Sequence, residues 1–284
     1  MKIVLSRKGF DSSFGGVPSP ILADGALVSI PIPYRHSPVT YGDLRVGGLR
    51  LGDLVEHLTR GRILRSTCTH LDPDLRHDVV DRPVGWRPIF GQTDAAQTHL
   101  ARQGVGPGDL FLFYGWFREV EARAGRNCYV RGAPDLHVIF GWLQVAEVIS
   151  VGRGAASAPD WAMRHPHFRG DFGRNNTVYL ARPELDLGEL GPQLAGGGFF
   201  PALHQALVLT APQRSRTVWR LPSWFMPHPG RPALSYNRNP ARWRPGETCC
   251  TLQSAGRGQE FVLDAAYYPE AVPWAQGLIA RSAV

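Results

Sequence analysis

The chain has 284 residues, of which 43% are hydrophobic and 19% charged; that composition can bury a sizeable core and excludes an intrinsically disordered chain. No apolar run reaches the roughly 18 residues of a membrane span, and MKIVLSRKGFD at the start holds an apolar run of only three residues, Ile3 to Leu5, which is no secretory signal, so the expected address is the cytoplasm and no membrane partner is expected. The net charge of +7 is almost all arginine, with Lys2 and Lys8 the only lysines; this suits a polyanionic partner, although scattered arginines are also what a GC-rich genome supplies.

Residues 2–6 read as a first strand that feeds a Gly/Ser/Pro-rich loop from Gly9 to Pro20. Ala26 to Ile32 reads as a second strand ended by prolines. Apolar residues at 51, 54, 55 and 58 predict a helix over Leu51 to Arg60, with Asp53 in its first turn and Arg60 in its last. A polar segment around STCTHLDPDL is followed by a loop to Phe90. Thr93 can cap a helix from Asp94 to Gln103, closed by Gly104. Asp109 to Phe117 and Leu136 to Val148 are the two strongest strands, joined by a hairpin-like excursion through Gly125 to Pro134. Gly115 and Gly141 inside them mark bulges or sharp bends. Beyond them the pattern is less regular, with strands at Val178–Ala181, Ala206–Thr210 and Gln259–Asp264, a loop at Gly196–Gly198, and a closing helix over Glu270 to Arg281 with Pro273 in its first turn. The four cysteines, Cys68, Cys128, Cys249 and Cys250, form no C-x-x-C pair and read as reduced packing residues.

Several segments taken together, LSRKGFDSSFGGVPSPIL, HLDPDL, FGQTDAAQTHL, GDLFLFYGWFREVE, LHVIFGWLQVAEV, HPHF and RGQEFVLD, resemble the third type of nucleotide modification associated domain. That resemblance spans nearly the whole chain and implies association with nucleotide or DNA-base modification; it supplies no catalytic residues. The two long strands within residues 104–149 also resemble the core of PUA-like barrels, the ASCH and EVE families, which read RNA or modified bases. The expectation is an α+β, β-rich single domain over residues 1–284, with a partly closed PUA-like barrel core at about 104–182 and a few flanking helices.

Six groups of residues can carry chemistry. Ser6, Arg7, Lys8, Asp11, Ser12 and Ser13 follow a buried strand and precede Gly15 and Gly16, an arrangement that can present N–H groups and positive charge to a phosphate; a polar turn is the alternative. His70, Asp72 and Asp74 share a side if their segment is extended, and can bind a hard metal or share acid–base work; a capped acidic turn is the alternative. Gln92 and Gln97 can hydrogen-bond a base edge, or lie on an ordinary helix surface. His165 and His167 can ligate a metal whose other ligands sequence does not name, or tie a loop to its backbone. Trp116 and Trp142 each follow a strand glycine and can stack on a base, whereas the other aromatics of these strands read as core. Arg257 and Glu260 offer a phosphate contact and a general base ahead of the last strand, or anchor it.

Two functions follow. In the first, an enzyme acting on a nucleotide or nucleobase uses Asp11, His70, Asp72 and Asp74 for catalysis, Arg7 and Lys8 for phosphate and Gln92 for the base. In the second, a non-catalytic reader uses a PUA-like barrel to grip a modified base between aromatics, with arginines on the backbone, and presents Trp116 or Trp142 in a basic groove. No metal set and no cofactor can be named, and the expected partner is a nucleotide or nucleic acid.

Overall fold

The computed structural model describes residues 1–154, 157–188, 194–256 and 259–281. Arg257, the expected phosphate contact, lies outside them. The strands are β1 (Lys2–Arg7), β2 (Ser19–Ile21), β3 (Arg45–Val46), β4 (Leu49–Arg50), β5 (Ile89–Gln92), β6 (Leu110–Arg123), β7 (Arg126–Tyr129), β8 (Leu136–Ser150), β9 (Thr177–Ala181), β10 (Gly197–Phe199), β11 (Val218–Pro222), β12 (Trp243–Arg244), β13 (Cys249–Gln253) and β14 (Glu260–Asp264). The α-helices are α1 (Leu51–Leu58), α2 (Asp94–Arg102), α3 (Val151–Gly154), α4 (Pro166–Arg169) and α5 (Ala271–Ala280). None is long and apolar enough to cross a membrane.

The main sheet has nine strands, with the path β14-β1-β6-β8-β9-β5 and with β2 and β7 beside β6 and β10 beside β8. Its centre is the pair predicted most strongly from sequence. β6 and β8 run antiparallel from Leu110↔Gln144 to Phe117↔Leu136, with an irregularity at Phe113/Tyr114 opposite Gly141. A Cβ on Gly141 would lie 2.4 Å from Leu75 and 2.8 Å from the Gly198 carbonyl, so the glycine is there to let two neighbouring segments approach.

The sheet curls. The rings of Phe90 on β5 and Phe111 on β6 lie 5.1 Å apart between centroids, although β8 and β9 intervene along the path; in a flat sheet three strand spacings, about 14 Å, would separate them. Phe113 and Tyr179 complete this buried aromatic group. The two ends of the path meet through side chains, since Gln92 Nε2 on β5 donates to Glu260 Oε1 on β14 at 2.5 Å. No backbone ladder joins β5 to β14 among the described residues. The fold is therefore α+β with a curled sheet; no closed barrel is found among the described residues, and the expected PUA-like core is not confirmed.

Other differences have local causes. Ala26 to Ile32 makes only isolated bridges, Ile21↔Leu27 and Ala26↔Ala202, and the strand lies instead at Ser19–Ile21, paired parallel with β6. Ala206 to Thr210 begins as a 3-10 turn at Gln205–Leu207, while Gly197 and Gly198, expected in a loop, pair with Leu143 and Trp142. In the proline-rich later half, β11, β13 and β12 build a separate three-stranded sheet. The four cysteines are free, but only Cys250 is buried and Cys128 is exposed, so the expected packing role fits Cys250 and not Cys128.

The strand face opposite the aromatic group holds a buried imidazole with a measurable consequence. Trp219 Nε1 donates to His137 Nδ1 at 3.0 Å, and burial, with Arg216 and Arg7 nearby, pushes the His137 pKa down to about 3. A free histidine in the unfolded chain titrates near 6.5. The folded state thus binds fewer protons, so this stability is complete above about 6.5 and is lost as pH falls toward 3. Chemical unfolding at pH 7 and pH 4.5 is expected to show a loss of about 2–3 kcal/mol from this residue, absent in His137→Gln. Equal pH slopes for wild type and variant would refute the assignment.

Candidate functional site

The segment His70–Asp74 runs beside β5. Asp74 is held there by a two-way backbone pairing with Ile89, at 2.9 and 3.0 Å, and Asp72 Oδ1 accepts the Gly91 N–H at 2.8 Å. Around the Asp72 carboxylate stand three imidazoles. His165 Nε2 faces Oδ1 at 3.2 Å, while His70 Nε2 and His167 Nε2 face Oδ2 at 3.7 and 3.9 Å. All four residues are buried.

His165 and His167 come from the start of α4. His165 is its N-cap, and its Nδ1 accepts the His167 N–H at 3.4 Å; the backbone tie expected as the alternative to metal ligation is thus present. Asn176 holds His167 on both sides, with Nδ2 donating to the His167 carbonyl at 2.7 Å and Oδ1 lying 2.6 Å from Nδ1. Phe172 stacks on the His167 ring at 4.2 Å, Tyr34 stacks on Phe172, and Tyr34 meets His70 edge-on. Gly91 leaves the space the imidazole fills, because a Cβ there would sit 2.2 Å from the His167 ring.

Burial opposes the Asp72 charge, but the facing imidazoles of His165 and His70 outweigh it and hold the carboxyl well below the usual range. Burial pushes His167 down to about 3 against the pull of Asp72. The centre therefore pairs an ionised carboxylate with a neutral imidazole. The ligand atoms of His70, Asp72 and His167 all lie within 4.8 Å of one another, and such a set can hold a metal or pass protons.

A cavity of about 290 Å³ opens beside the centre, its lining including His165, Asp74, Arg82, Arg164, Trp86 and Trp161. Arg82 grips the Asp74 carboxylate in a fork, with Nη1 at 2.6 Å, and lies over the Trp86 ring. Asp74 thus serves Arg82, while His70 and Asp72 face each other; an extended segment with all three on one side is not what forms, because the bridge to Ile89 and the pull of Arg82 turn Asp74 aside.

A second polar centre lies on the other face of β5, since successive strand residues point to opposite sides. Glu260, fully buried, accepts from Lys8 Nζ at 2.7 Å and from Gln92 Nε2 at 2.5 Å on Oε1; its Oε2 and the buried Ser6 Oγ have no protein partner. Lys8 also lies over the Phe90 ring at 4.7 Å. Lys8 and Gln92, read from sequence as phosphate and base contacts, thus meet in one buried group with Glu260. Gln97 is buried and accepts the Tyr179 hydroxyl at 2.9 Å, away from any base-reading surface.

The remaining residues lie apart from both centres. Asp11 caps its own turn, with Oδ1 accepting the N–H groups of Ser13 and Phe14 at 2.7 Å, and Ser12 is exposed on that turn. The electrostatic reach of Arg7 is to Tyr114 and His137. Trp142 is only 5% exposed, packs on Phe200 and donates to the Ala195 carbonyl. Trp116 is half-buried under the Arg216 guanidinium, 4.2 Å from its ring. The two tryptophans do not form an open stacking pair.

Sequence reading missed Asn176 and Gly91. Nothing in N-N-T marks an imidazole partner, whereas a glycine within F-G-Q at a strand is a detectable sign of close approach.

No curated protein and no solved structure matches the chain. A family model does, over residues 2–264, a span that takes in Asp72, the histidines around it and the Lys8–Glu260–Gln92 group. The chain belongs to the nucleotide modification associated domain 3 family.

Proposed function

We propose that this chain is an enzyme acting on a nucleotide or on a nucleobase in DNA, with the Asp72 centre as its reactive site. The observation that carries this reading is the convergence on one buried carboxylate of His70, from its own segment, and of His165 and His167, from a second segment far along the chain. Packing alone does not call for it, because burying a carboxylate and imidazoles with unpaired nitrogens costs stability that apolar residues would not. Perturbed titratable groups gathered beside a cavity are the usual mark of a reaction centre. Asp72 and the imidazoles facing it form the reactive group, His165 orients Asp72, and the neighbouring cavity receives the base against Trp161 and the phosphate at Arg164. Family membership supports nucleotides as the substrate class. The reader alternative has less support, since Trp142 is buried and Trp116 is covered by Arg216.

The test incubates the protein, with and without divalent metals, with nucleotides and with natural and modified DNA, and reads products by mass spectrometry. Wild type is expected to convert at least one substrate, and Asp72→Asn to lower that rate by about 10²–10⁴. If wild type leaves every substrate unchanged, or the variant keeps the full rate, the proposal fails.

A further inference from the structure

We propose that His70, Asp72 and His167 bind one divalent transition-metal ion. This deepens the reading above, and its readout is metal rather than product.

The hydrogen bonds around His167 fix its tautomer. Asn176 Nδ2 must face the His167 carbonyl, to which it donates at 2.7 Å, so the atom 2.6 Å from His167 Nδ1 is the amide oxygen. An acceptor there requires the proton on Nδ1. His167 Nε2 then carries a lone pair and points it at Asp72 Oδ2, 3.9 Å away. Two acceptors facing each other in a buried site repel; a cation between them turns the repulsion into two bonds.

The spacing admits that cation. Ligand atoms about 2.1 Å from a common ion, at tetrahedral or octahedral angles, lie about 3.0–3.4 Å apart. His70 and His167 Nε2 lie 3.7 and 3.9 Å from Oδ2, so contraction of about half an ångström brings each to the carboxylate, and the two imidazoles, whose ligand atoms lie within 4.8 Å of each other, close in by up to about 1.5 Å.

The surroundings are those of a metal site. The second nitrogen of His167 is held by Asn176, and the carboxylate is oriented by the Gly91 N–H; such outer contacts fix ligand tautomer and aim. His165 is a positioning residue. Its Nδ1 accepts the His167 N–H, which leaves its proton on Nε2, facing Asp72 Oδ1 at 3.2 Å. That contact, with 1% of the His165 side chain exposed, holds Oδ1 and leaves Oδ2 to face His70 and His167. Two imidazoles and one carboxylate suit iron, manganese, cobalt, nickel or zinc better than magnesium or calcium, and three protein ligands leave positions for water or substrate.

The full chain, stripped with a chelator, is titrated with Co²⁺ and followed by visible absorption; Zn²⁺ and anaerobic Fe²⁺ stoichiometries are read by elemental analysis. One ion per chain is expected, with a metal-dependent rise in melting temperature. His70→Ala and His167→Ala are expected to weaken binding by more than 100-fold, and Asn176→Ala by about 10–100-fold; exposed His77→Gln should bind as wild type does. Circular dichroism checks that the variants fold. The wild-type titration stands by itself if they do not: absence of a stoichiometric Co²⁺ or Zn²⁺ complex at micromolar protein overturns the proposal. So does equal affinity in the folded ligand variants. Metal binding without turnover sinks the enzymatic reading alone, and turnover by a chain that binds no metal sinks this one alone.

Discussion

Lys8→Met is expected to destabilise the protein by about 3–5 kcal/mol, the usual consequence of leaving a buried charge without its partner. Glu260 is 0% exposed at its side chain and Lys8 only 10%, so water cannot replace the lost ammonium. Gln92 alone would remain to donate to Oε1, and Oε2 already lacks a partner. Removing the charge along with the lysine should restore most of the loss. Lys8→Met/Glu260→Gln is expected to lie within about 1–2 kcal/mol of wild type, because a neutral amide has a far smaller desolvation penalty than a carboxylate. Urea unfolding of wild type, both single variants and the double variant gives the coupling directly. Additive effects, or a loss under 1 kcal/mol in Lys8→Met, would show that the pair is solvated. The result bears on function as well. Gln92 is the neighbour of Gly91, and the Lys8–Glu260–Gln92 group therefore sets where β5 lies beneath Asp72.

What sequence disclosed and what it hid divide along physical lines. β6 and β8 are legible because each buries a long run of apolar residues, and their glycines announce close approaches. Helices α1, α2 and α5 are legible from periodicity and end signals, and all three form within two residues of the expected bounds. The Ala206–Thr210 strand fails because its apolar residues pack singly, through the bridges Val138↔Val208 and Thr210↔Trp219, without a ladder. β5, β10 and β11 are short and pair with strands far along the chain, and β12 has only two residues, so no local pattern specifies them. The site shows the same limit. H-L-D-P-D and H-P-H each stand out as polar clusters, yet neither says that Asp72 belongs with His165 and His167 while Asp74 belongs with Arg82. Lys8 shows the same limit: a lysine after a strand and before a glycine-rich loop invites a phosphate, and nothing local says that it also meets Glu260 from the far end of the chain.

Gly91→Ala tests how tightly the Asp72 centre is packed. No left-handed backbone conformation is involved at Gly91, so the added methyl acts through space alone. Its Cβ would lie 2.2 Å from His167 Cδ2, 2.3 Å from Cγ and 2.6 Å from Nε2, well inside van der Waals contact, and the imidazole must move. It is not free to do so, being held by two Asn176 hydrogen bonds and stacked on Phe172. Overpacking of this kind costs about 1–3 kcal/mol, and the upper part of that range is expected because backbone and ring are both fixed. Gly106→Ala is the matched control, since nothing lies within 4 Å of its Cβ and its backbone is not left-handed; it should be neutral or slightly stabilising. The displacement also carries Nε2 away from Asp72 Oδ2, so Gly91→Ala should lose metal affinity by at least about 10-fold, as the loss of an orienting contact does, and with it turnover. Thermal unfolding and Co²⁺ titration on the two glycine variants provide the measurement. A Gly91→Ala protein as stable as wild type, with metal affinity intact, would mean that β5 and α4 shift apart freely, and the close seating of His167 on β5 would then be dispensable to the centre.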